Sequence, residues 1–201
     1  IFGCFHLKID PTLVPIVSYF SFVGFGFMTM EIFFIYKFSF LVGSPHLAIV
    51  TVLAALLVSA GIGSWISSFI SKSNKAVLLL PFALIALGII GLQQNFSSLQ
   101  NWTAAFPLPM QAGISFLVLV PVGLAMGLPF PIGIKYLSGQ STNGLAWAWL
   151  ANGLSSALAG YLALVVSIFF GFHSVLSLGV SAYIFASLIL YMRLRRQNSG
   201  N

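Results

Sequence analysis

GFGFMTMEIFFIYKFSFLVG, residues 24–43, sets one acid, Glu31, in the middle of an apolar run. The uncharged stretch before it reaches back to Pro11, and five uncharged residues separate it from Lys37. The chain's other acid, Asp10, lies ahead of the first hydrophobic run. A carboxylate at membrane depth costs about 2.5–3.5 kcal/mol on insertion scales, so it faces a partner helix or a wet cavity rather than lipid. The remaining segments are therefore expected to wrap around this one.

Composition carries the same reading outward. Of 201 residues, 59% are hydrophobic and 5% are charged. A soluble domain carries about 25% charge, so polar surface is too scarce here to cover a water-facing globule. At ~20 residues per span with short loops, the length accommodates about six helices. The expected fold is an all-α integral membrane protein, a bundle of six transmembrane helices. The formal net charge of +6 comes from basic residues at segment ends, a pattern that reports orientation and contact with anionic lipid rather than nucleic acid. Cys4 stands alone, which excludes an intrachain disulfide, a CxxC redox pair and a cysteine metal cluster. Ile1 in place of Met fits a processed product or a piece of a longer chain, and the first span is longer than a signal-peptide core.

Residues 1–10 form a short mixed head, 11–196 a six-helix transmembrane domain and 197–201 a tail. Spans are expected at 15–43, 47–70, 76–92, 110–128, 145–170 and 175–191. Residues 93–109, QQNFSSLQNWTAAFPLP, read as an uncharged polar loop with sequons at Asn95 and Asn101. When the connections are assigned alternately to the two membrane faces, Lys8, Lys72, Lys75, Lys135, Arg193, Arg195 and Arg196 fall on one side. Lys37 alone falls on the other. The positive-inside rule then puts both termini in the cytoplasm, and five or seven spans would spoil the segregation.

Several polar and small residues stand out along these spans. Glu31 and Lys37 are six residues apart and lie on different faces of a regular helix, so they cannot form the usual i,i+4 pair. Glu31 thus needs a partner on another segment, or a proton. Asn152 is the expected partner, and the three residues form the expected intramembrane polar site. Ser59 and Gly63 belong to a small-residue stripe on the second span, Gly123 and Gly127 form a GxxxG in the fourth, and Asn152, Ser156 and Gly160 make a stripe on the fifth. Such stripes let helix backbones approach closely, and the second and fifth spans are expected to be the most closely approached helices. Pro129 and Pro131 of LPFPIG each remove a backbone donor and are expected to break the fourth span at its exit. Trp147 and Trp149 read as interfacial anchors. His46 and His173 share the side opposite the termini, but no carboxylate accompanies them, and no metal or cofactor is expected. No H-E-x-x-H, P-loop or catalytic triad pattern occurs.

The phrases GFMTMEIFFIYKF, LVGSP, LLVSAGIGS, MGLPFPIG and WAWLANGLSSALAG, in that order, resemble the membrane region of bacterial spermidine-synthase-like proteins. In those proteins a major-facilitator-like helical region is joined to an aminopropyltransferase-like domain. The resemblance covers residues 22–185 and matches Glu31, Lys37, Gly61, Gly63, Pro129, Pro131, Trp149 and Asn152 by position. Two departures stand in the same stretch: Ser44-Pro45-His46 replaces a histidine directly before the proline, and Tyr36 replaces a glutamine. The resemblance implies half of a major-facilitator-type bundle in a bacterial inner membrane. An aminopropyltransferase needs several acids for its amine substrate, which two acids cannot supply. The chain is therefore expected to be a non-catalytic module, an anchor, scaffold or part of a transporter, whose partners are the lipid bilayer and either other membrane subunits or a missing soluble or transmembrane half. The alternative is a small structural accessory subunit of a larger membrane complex. No nucleic-acid partner is expected.

Overall fold

A computed structural model describes residues 13–70, 75–138 and 142–198. The described residues are helical: α1 Val14–Val42, α2 Pro45–Ile66 (extended by a 3-10 turn, Ser67–Phe69), α3 Lys75–Thr103, α4 Leu108–Gly127, α5 Pro129–Gly133, α6 Thr142–Phe170 and α7 Phe172–Asn198. Six helical segments are long and apolar enough to cross a membrane, with α4 and α5 joined in the single span Leu108–Leu137. In the short connections, Gly43 closes α1 at φ 68° and accepts the left-handed geometry that a side chain resists. Pro45 then starts α2 at a position where its missing N–H costs little.

α1 is the axis of the bundle. Of its spanning window 56% is buried, against 11% for α6. Tyr19, Phe20, Met30, Phe34 and Phe38 along it are fully enclosed. Around it stand α2, α6 and α7, while α4 packs along α2 and α5 sits against the first turns of α1. Lipid tails are as apolar as leucine, so close packing rather than hydrophobic transfer holds such helices together.

Close packing follows the small residues. α2 meets α4, and the fifth span meets α1. A methyl group on Gly123 would overlap Ser59, one on Gly63 the Leu124 carbonyl, and one on Gly127 the backbone of Ala60. The fifth span, α6, lies along α1: a methyl on Gly24 would sit 2.5 Å from the Asn152 carbonyl oxygen and 2.8 Å from Ser155 Oγ. Four-residue spacing defines a face without naming what covers it. On α6 the covered face is carried by Ala148, Ala151, Ala159 and Ala163, all buried. Ser156 is half-buried, and the space beside Gly160 is ordinary contact, 3.7 Å from Met28 Cε.

Two expected boundaries move. α3 does not end near residue 92 but runs to Thr103, so most of the expected 93–109 loop is helix. No Gly or Pro interrupts residues 92–106, and two of the polar side chains there bond to their own helix. Asn95 Nδ2 donates to the Gly91 carbonyl at 2.9 Å, and Thr103 Oγ1 to that of Leu99 at 2.9 Å. From the next helix, Gln111 Nε2 donates to the carbonyls of Thr103 (3.2 Å) and Phe106 (2.9 Å). The Thr103 carbonyl also accepts the Phe106 N–H at 3.0 Å, so the Gln111 side chain braces the turn that follows α3. The second boundary is LPFPIG. The helix is interrupted at Leu128, as the prolines require, yet it does not exit there: α5 and the π-helical turn Ile134–Ser138 carry the span onward.

Candidate functional site: the buried polar groups of α1

The sequence brings Glu31, Lys37 and Asn152 together as one polar site; the structure distributes them over three levels of the bundle. Glu31 lies on the face of α1 that also carries Gly24 and Met28, at i, i+4 and i+7. Gly24 adjoins Asn152 and Met28 adjoins Gly160, so this face is the one turned to α6. Glu31 is 7% exposed and makes no hydrogen bond or ion pair among the described residues. The expected bond to Asn152 is not formed. Asn152 Nδ2 instead donates to the Phe20 carbonyl at 3.3 Å. Eleven residues of helix rise about 16 Å, which places Phe20 far below Glu31 and out of reach of any shared contact.

Lys37 is likewise apart from the acid. Its Nζ stands 4.8 Å from the centre of the Phe96 ring on α3, a cation–π contact. It shares a small crevice with Gln93 and Phe96. This rim gathers further polar and aromatic groups: Gln93 Nε2 lies 3.4 Å from His173 Nδ1, and Tyr36 stacks on Phe172 with ring centres 3.4 Å apart. His173 therefore contacts an amide from α3. His46 is exposed in the first turn of α2. Among the described residues no group of three or more His, Cys, Asp or Glu could hold a metal ion.

At the opposite end of α1 lies a polar contact that the sequence reading missed. Tyr19, fully buried, donates its hydroxyl to the Pro129 carbonyl at 2.7 Å. The local sequence builds the approach. A side chain on Gly133 would run into the rings of Tyr19 and Phe20, so the glycine lets α5 settle against α1. Phe130 packs edge-on to Phe20 at 5.1 Å and against Trp149 at 4.7 Å. Trp149 is otherwise exposed and Trp147 half-buried. Pro131 cannot donate to the carbonyl four residues back, and Ile132 N–H closes the turn on Leu128 O at 3.2 Å. The available signal was a tyrosine inside an apolar run, since a buried phenol seeks an acceptor. A second one, Tyr183 on α7, is 2% exposed, and its hydroxyl has no partner among the described residues.

Six apolar spanning helices with this packing define an integral membrane protein. Comparison of the chain with protein-family models, with curated proteins and with solved structures gives no match.

Proposed function

We propose that the chain is a non-catalytic transmembrane module, an anchor or scaffold resembling the membrane region of spermidine-synthase-like proteins and half of a major-facilitator-type bundle. It resides in a bacterial inner membrane with both termini cytoplasmic. The observation that supports a scaffold is the α2–α4 seam, where Gly63 and Gly127 bring backbone against side-chain-free backbone. Tightly interlocked helices have few alternative arrangements, which suits a part that holds others in place. The experiment is purification from native membranes in mild detergent with mass measurement of everything that stays bound. A longer polypeptide or stoichiometric partner with a soluble domain supports the module, and a lone monomer without one overturns it.

Two specific features favour other readings. α6 leaves Leu154, Leu158, Tyr161 and Ile168 more than half exposed on its outer face, which suits an accessory subunit lying against further membrane helices; co-purification of several unrelated membrane subunits would favour it. Glu31, without a partner among the described residues, and the helix interrupted at Leu128 suit a part of a transporter, because intramembrane acids and discontinuous helices line ion and substrate paths. Substrate uptake into liposomes holding this chain alone would establish that reading.

A further inference from the structure

A groove of about 400 Å³ runs between the first turns of α1 and the last turns of α7. Its walls are apolar: Val14 and Pro15 from α1, and Phe185, Ile189 and Met192 from α7. Its floor includes Phe22, stacked on Phe185 at 5.3 Å. Among the described residues, two polar side chains line it, Ser18 and Arg193. The groove is thus an apolar slot with a cation at one end.

Its level in the bundle fixes what that cation meets. The α1 span begins at Val14 and the α7 span ends at Arg195, so Arg193 stands where hydrocarbon gives way to headgroups. The first turn of α1 adds to the positive potential there. No side chain caps it at Leu13, and the N-terminal end of a long helix carries partial positive charge. Arg195 follows two residues on. The single acid among the described residues, Glu31, lies thirteen residues beyond Ser18, about 20 Å along α1.

We propose that this groove binds one anionic phospholipid, its acyl chain laid along Phe22, Phe185 and Ile189 and its phosphate held by Arg193 at the start of α1. Arg193 is also engaged within the chain; a guanidinium has five N–H donors in a fixed fork, so it serves a phosphate alongside another acceptor. Charge complementarity selects the headgroup, and the slot selects a chain-bearing ligand over a free anion.

The test uses the full chain, delipidated in a neutral detergent, with thermal unfolding followed as phosphatidylglycerol, phosphatidylcholine or inorganic phosphate is added. Phosphatidylglycerol at ten times its dissociation constant should raise the melting temperature by about 3–5 °C, and the other two should leave it in place. Arg193→Gln removes the cation and Ser18→Phe fills the slot; each should abolish the increment. Should either variant fail to fold, native mass spectrometry of the unaltered chain in an equimolar mixture of the two lipids decides, with retention of phosphatidylglycerol expected. Equal shifts or equal retention for both lipids, a shift from phosphate alone, or an increment that survives both variants would each overturn the proposal.

Discussion

The hydroxyl of Tyr19 and the carbonyl of Pro129 are joined by a 2.7 Å hydrogen bond across 110 residues of chain. It ties the first turns of α1 to the helix interrupted by LPFPIG, in a site from which water is excluded. Its partners in that place, Phe20, Phe130 and Gly133, make the contact a fitted joint rather than a chance approach.

Tyr19→Phe keeps the ring packing and removes the donor. The variant should lose about 1 kcal/mol, the net value of a typical buried hydrogen bond, seen as a fall of roughly 2–4 °C in melting temperature in detergent. An unchanged melting temperature would mean that the bond contributes nothing to holding α5.

The glycines separate into two groups. Gly127→Ala forces a methyl into the backbone of Ala60, whereas Gly160→Ala meets nothing nearer than Met28 at 3.7 Å. Overpacking costs about 1–3 kcal/mol, so Gly127→Ala should unfold at lower temperature and Gly160→Ala should match the parent. Equal behaviour of the two would contradict the α2–α4 seam.

Glu31 stands apart from its expected partner. Sequence reasoning gave it either a hydrogen bond to another segment, with Asn152 as partner, or a proton. With no partner among the described residues, its burial carries a desolvation cost without compensation. Glu31→Met should therefore be as stable as the parent or more so. Uptake in liposomes then separates the roles: loss of transport in both Glu31→Gln and Glu31→Met, with stability intact, would assign the acid to an ion path.

Topology is open to labelling. In a Cys4→Ser background, a cysteine at the exposed Ser98 of α3 should react with an impermeant thiol reagent added from outside the cell. One at Ser73, which lies outside the described residues, should react only after the membrane is opened. The reverse pattern would invert the orientation drawn from the basic residues.

Much of the architecture was legible because hydropathy reports solvent. The six spans emerge from it, and the central place of α1 follows from Glu31, which cannot face lipid cheaply. What failed did so for identifiable reasons. The 93–103 stretch is polar, and polarity marks the end of hydrocarbon rather than the end of a helix; Asn95 and Thr103 show how such residues satisfy themselves along the helix. The stripe on α2 was legible as a face, but its partner α4 was not, since many faces of small residues look alike. Asn152 bonds across helices, but the sequence holds no measure of height, and its acceptor is a carbonyl, Phe20 O, of a kind that every residue offers.

The order of synthesis gives the central position of α1 a further meaning. Tyr19 precedes its acceptor by 110 residues, and Phe20 precedes Asn152 by 132. At ~5–20 residues per second, the ribosome needs roughly 5–20 s to deliver Pro129 after Tyr19. During that interval the helix with the most buried surface stands in the membrane with its Gly24 notch and its carboxyl uncovered. Until then α2 is the main neighbour at hand to cover α1, so the helix most buried in the finished bundle is also the one that waits longest for its partners.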